Sequence, residues 1–108
     1  MSTRCRGFVA VTTVTAALTS LAAVAGCGGV LYAAEVNGAS RKLAEARELG
    51  AEQLAPYEYT YAEAHLTKAM SEAAQGDYSD AKAFAETADT YATKAIALAK
   101  EAHRGAGR

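Results

Sequence analysis

Tryptophan is absent from the 108 residues, proline occurs once, at Pro56, and phenylalanine only twice. A single proline leaves long stretches free of the residue that most strongly breaks a helix. Two cysteines, Cys5 and Cys27, are too few for a disulfide framework and lack the CxxC spacing of a zinc site. Basic residues are also in short supply: from Cys27 onward nine Lys or Arg stand against twelve Asp or Glu, an excess of three negative charges. Without a basic run the chain lacks the electrostatic footprint of a nucleic-acid binder, so DNA and RNA are not expected partners. The chemistry of catalysis is equally thin. His65 and His103 are the only imidazoles, and there is no GxSxG, no HExxH and no glycine-rich phosphate loop. His65 has no metal-ligating partner one turn further on, and His103 reads as a positive charge at a helix C-terminus. The expectation is a protein that is not an enzyme, holds no cofactor or metal, and takes no small-molecule substrate.

What is present divides into two unlike parts. Overall 51% of residues are apolar and 21% charged, far from a disordered composition and enough for one small domain. The first 26 residues hold Arg4 and Arg6 but no acid, and Phe8 to Ala25 is uncharged throughout. A positive start followed by an apolar run has the form of a secretory signal. The run ends in Val24-Ala25-Gly26-Cys27, which resembles the lipobox of bacterial lipoproteins: a branched apolar residue, two small residues, then cysteine. That resemblance implies recognition of Val24, Ala25 and Gly26 by a signal peptidase. It also implies a diacylglyceryl thioether on Cys27 and an acyl chain on the freed amine, the only attached groups expected. Two or more such chains hold a protein stably on a bilayer, whereas one is marginal. An uncut signal anchor is the main alternative, since about 20 apolar residues can span a bilayer. The four Thr and one Ser within the run weigh against it. Gly28, rather than Asp, follows the cysteine. By resemblance to the sorting of enteric lipoproteins, this implies the inner leaflet of the outer membrane, facing the periplasm.

Beyond a flexible linker expected at 27–30, Ala, Leu, Glu, Lys, Arg and Gln dominate and β-branched residues are scarce. These are the strongest helix formers, so the domain at 31–104 is expected to be all-α. Glycines and the proline set the divisions, giving helices at about 31–54, 56–75 and 78–104 and a tail at 105–108. The last is the most regular. Ala81, Ala85, Ala88, Ala92, Ala95, Ala99 and Ala102 alternate spacings of four and three, a heptad seam made wholly of alanine, flanked by Phe84, Tyr91 and Leu98. Tyr59, Ala62, Leu66, Ala69 and Ala73 carry the same spacing and are expected to face it. The short turn Gln75-Gly76-Asp77 makes those two helices antiparallel. The first helix carries Val36, Ala39, Leu43, Ala46 and Gly50 at helical spacing. The fold expected is an antiparallel alanine-rich hairpin or three-helix bundle after a cleaved signal peptide.

Tyr57-Glu58-Tyr59-Thr60-Tyr61 alternates aromatic and polar residues as a strand would. Because it follows a helix-starting proline and continues into Ala62 to Leu66, a helix is preferred. Tyr57, Tyr59 and Tyr61 are candidates either to cover the alanine seam or to form a partner-binding face.

Ala55-Pro56-Tyr57-Glu58-Tyr59, Ala62 to Leu66, Ala69, Gly76-Asp77-Tyr78, Ala81, Ala85 and Ala88 together resemble a bacterial domain-of-unknown-function family of alanine-rich helical lipoproteins. Its members often carry an OmpA-like peptidoglycan-binding domain after the helices. The residues up to Arg108 hold no such domain, so that activity is not carried over. The helix pair is also distantly similar to one tetratricopeptide unit, though no second copy follows. The resulting expectation is a lipid-anchored structural or adaptor protein of the cell envelope, joined to the membrane through its lipid and to an envelope protein or a second copy through its helices. A pilotin-like assembly chaperone for an outer-membrane pore protein is the alternative.

Overall fold

The computed structural model describes residues 26–107. Within them the chain forms four helices and no strand: α1 (Gly26–Glu48), α2 (Ala51–Leu54), α3 (Pro56–Ala74) and α4 (Tyr78–Ala106). The all-α expectation holds. The apolar run at 8–25, with Val24 and Ala25, lies outside the described residues.

The helix ends follow from a few local residues. Gly50 takes a left-handed φ of 74°, a conformation that costs glycine nothing and other residues about 1 kcal/mol or more. Its N–H donates to the Arg47 carbonyl at 2.9 Å and closes α1. The single continuous helix expected over 31–54 is therefore broken, and Gly50 turns the chain instead of joining the apolar face. α2 is one turn long. It stops at Ala55, whose φ of −143° and ψ of 57° lie outside the helical region that a following proline disfavours. Pro56 then opens α3, where its missing N–H is no loss. At the far end of α3, Gly76 has φ 85°. Asp77 N–H reaches the Glu72 carbonyl and Gly76 N–H the Ala73 carbonyl, both at 3.0 Å, the paired bonds of a Schellman cap. The Asp77 side chain next accepts from Asp80 N–H at 3.1 Å and starts α4.

Named contacts fix the helix directions. Tyr32 of α1 lies beside Tyr78 of α4, Lys42 pairs with Asp89, Glu45 with Lys100, and Leu49 with His103. Both sequences advance together, so α1 and α4 are parallel. His65 of α3 lies beside Phe84 and Tyr61 beside Tyr91, so α3 runs the opposite way. The bundle is up, down, up. α4 packs along both neighbours, whereas α1 and α3 touch each other much less. Their clearest link is Arg47 of α1 with Tyr59 and Glu63 of α3.

Alanine makes this layered arrangement possible. Among the described residues fifteen hydrophobic side chains are buried; twelve are alanine, and the others are Leu43, Tyr59 and Leu66. A core so short of side-chain volume closes only if the helix axes approach toward the lower end of the usual 8–10 Å. The seam Ala81, Ala85, Ala88, Ala92, Ala95 and Ala99 is buried along its length, with Ala102 half-buried beyond it. Ala88 to Ala99 join one cluster with Ala39, Leu43 and Ala46 of α1 and Tyr59, Ala62 and Leu66 of α3. One stripe therefore serves two partner helices.

Close approach predicts intolerance of bulk. Ala92 is wholly buried, so Ala92→Leu should cost about 1–3 kcal/mol through overpacking. In a domain of this size each kcal/mol corresponds to about 4–8 °C in Tm. Ala97→Leu, on the exposed side of the same helix, should leave the circular-dichroism melt almost unchanged. Equal melts for the two variants would contradict the seam.

Candidate functional site

Two regions could carry function: the start of α1 and the outer groove between α3 and α4.

Gly26 and Cys27 are the first two residues of α1. Gly28 and Gly29 continue the helix, so the flexible linker expected at 27–30 is replaced by an ordered turn. Gly28 is exposed, yet a Cβ placed on it would stand 3.5 Å from the Tyr78 Cβ, so the start of α1 lies alongside the start of α4. One turn on, the Tyr32 and Tyr78 rings lie 5.9 Å apart. A helix held at its start extends at little further cost even through glycine. Among the described residues no helix is long and apolar enough to cross a membrane.

The three tyrosines of α3 divide. At helical spacing Tyr57 and Tyr61 share one side and Tyr59 points nearly opposite. Tyr59 is 1% exposed and is the largest fully buried side chain described, so it belongs to the core and not to a partner-binding face. Its hydroxyl accepts a hydrogen bond from Arg47 Nε at 2.8 Å, which satisfies the buried polar end of an otherwise apolar side chain. The same guanidinium lies 3.5 Å from Glu63. Chiefly through Tyr59, and secondarily through Glu63 and Glu52, the Arg47 pKa is raised further above its ordinary value. The positive charge is permanent.

Tyr57 is 62% exposed, and Tyr61 is half-buried. They begin a continuous row of rings. Tyr57 and Tyr61 have centroids 5.6 Å apart, and Tyr91 of α4 meets Tyr61 at 4.2 Å and the edge of Tyr57 at 6.3 Å. His65 stacks on Tyr61 at 4.1 Å, and Phe84 follows at 5.9 Å. Lys94 Nζ sits 4.4 Å from the Tyr91 ring centre, within cation–π range, while Lys68 near Phe84 is also paired with Glu72. His65 Nδ1 lies 2.9 Å from the Tyr61 carbonyl. Since a carbonyl only accepts, Nδ1 carries the hydrogen and the ring is fixed in place.

Tyr91, Phe84 and His65 were not expected in this face. The sequence does carry the signal: α3 and α4 are antiparallel about Gly76, and Tyr61 and Tyr91 stand equally far from that glycine. His103 also does more than place charge at the end of α4. Its Nε2 donates to the Leu49 carbonyl at 2.8 Å, occupying an acceptor at the end of α1. Among the described residues, no three His, Cys, Asp or Glu side chains are grouped to hold a metal ion.

No curated protein and no solved structure matches the chain. A family model does match, over residues 13–106, which takes in the whole bundle and much of the apolar run before Cys27. The chain belongs to the family described as Domain of unknown function (DUF4398).

Proposed function

We propose that this protein is a lipid-anchored adaptor of the bacterial cell envelope, in which acyl chains on Cys27 hold a helical domain to a membrane and the domain binds protein. The observation that carries this reading is the sequence Val24-Ala25-Gly26-Cys27, placed between an uncharged apolar run and the first turn of a folded helix. Cutting before Cys27 requires an extended backbone at Gly26, so the first turn of α1 opens for the cut, and Gly26 leaves with the leader. From then on the anchor and the domain are one rigid piece, without a spacer between them. The inner leaflet of the outer membrane is the location that Gly28 favours.

Confinement to a surface is itself the mechanism. A tethered domain meets other membrane-held proteins at a raised effective concentration, so a modest contact face is sufficient. The row from Tyr57 to Phe84 offers that face: rigid rings, those of tyrosine and histidine with polar atoms, partly exposed, over a seam of small residues. The reading is of a binding module and not a catalyst, with an envelope protein or a second copy of the chain as partner.

Photo-crosslinking in intact cells tests it. A photoreactive residue at Tyr57 should trap a discrete envelope protein or a dimer, and one at Glu101, exposed on the far part of α4, should not. Capture of a single outer-membrane pore subunit would favour the assembly-chaperone role. No product from Tyr57 above that from Glu101 would contradict the adaptor.

A further inference from the structure

The start of α1 carries an exposed apolar row that the bundle does not use. Val30 is 69% exposed and Leu31 55%, and Ala34 is exposed as well. These fall three, four and seven positions after Cys27, which is one row along a helix. Tyr32, Glu35, Val36 and Ala39 lie on the more covered side of α1, and the named contacts of that side are with α4. From Gly26 to Ala34 there is no charged residue, and the first is Glu35. The anchored form begins at Cys27, so this uncharged start is eight residues, about 12 Å at about 1.5 Å per residue.

The geometry points to a lipid surface as the occupant of this row: Val30, Leu31 and Ala34 form a foot that lies in the headgroup region and tilts the bundle on its anchor. The inference rests on acylation of Cys27 and adds an orientation to it. Several observations select lipid over a protein partner. The row begins at the anchored residue itself, and no spacer separates the two, because Gly28 and Gly29 are helical. α1 offers no Lys or Arg before Arg41, and Asp77 and Asp80 lie at this end on α4. The contact is therefore apolar and made with zwitterionic lipid, with α1 turned so that the acidic start of α4 is held away from the bilayer.

Spin labelling of the full acylated protein in vesicles of phosphatidylethanolamine and phosphatidylcholine tests this. Leu31→Cys and Ala33→Cys place a nitroxide at nearly the same height on different rows of α1, both at exposed positions that leave the core intact. The label at 31 is expected to collide with dissolved oxygen several-fold more often than with a water-soluble nickel complex. The label at 33 should show the reverse preference. Equal behaviour at the two positions, or a water-facing label at 31, on protein whose mass shows acylated Cys27, would overturn the foot and leave the anchor standing. A mass that retains residues 8–25, or lacks acyl chains, would overturn the anchor and the foot together.

Discussion

Replacing Tyr59 with alanine is expected to abolish the cooperative thermal unfolding of the domain. Loss of a fully buried aromatic ring typically costs about 3–5 kcal/mol, and a domain of this size has about 4–12 kcal/mol in total at 0.05–0.15 per residue. The low end of that range applies here, because alanine burial contributes little per residue. Among the described residues Tyr59 is the largest fully buried side chain, and it stands where all three long helices meet. Neither an alanine at 59 nor its alanine neighbours can fill the space. Tyr59→Phe should be much milder, since the ring stays and the exposed Arg47 can turn to water. Tyr57→Ala, two residues away but on the surface, should shift stability by no more than about 0.5 kcal/mol. A Tyr59→Ala variant that melts like the parent would show that the core is held elsewhere.

The second large effect concerns Cys27. Cys27→Ser removes the thiol that would accept the diacylglyceryl group, and with it the cut that follows acylation. The variant is expected to keep its first 26 residues and carry no lipid. Beginning the domain at Gly28 behind an ordinary cleavable secretory signal should instead release it to the soluble fraction. Hydrocarbon burial contributes about 0.8 kcal/mol per methylene, so losing two or more acyl chains removes far more than Val30 and Leu31 can replace at about 1.5–3 kcal/mol for each fully buried side chain. Fractionation of the two forms reads this directly. A Gly28 form that stayed in the membrane pellet after a high-salt wash would contradict the lipid tether.

Much of the bundle was legible in the amino-acid order because alanine at heptad spacing has few purposes other than close helix contact. The seam from Ala81 to Ala99, its partner face at Ala62, Leu66 and Ala69, and the Gly76-Asp77 reversal all follow from local pattern. Gly50 did not. A glycine among helix formers reads equally as a tolerated interruption or as a left-handed stop, and only the return of α3 against α1, sealed by Arg47 on Tyr59, decides. The same helix shows how a candidate site can mislead. Tyr57, Tyr59 and Tyr61 look alike in sequence, yet at about 100° per residue the middle ring turns into the core. Tyr59 already belonged to the heptad of α3, and that periodicity was the stronger signal. The aromatic row was only half visible, because Tyr91 and Phe84 enter it from another helix. The Gly28-Gly29 pair reads from composition as a spacer, whereas both residues lie within α1, with Gly28 beside Tyr78.

The intact mass of the protein extracted by detergent from its native membrane is the most direct test of the anchored-adaptor reading. Acylation predicts a chain beginning at Cys27, heavier than its amino acids by a diacylglyceryl group and an amide-linked fatty acid. A chain that still begins at Met1, or one whose Cys27 reacts as an unmodified thiol, would contradict it.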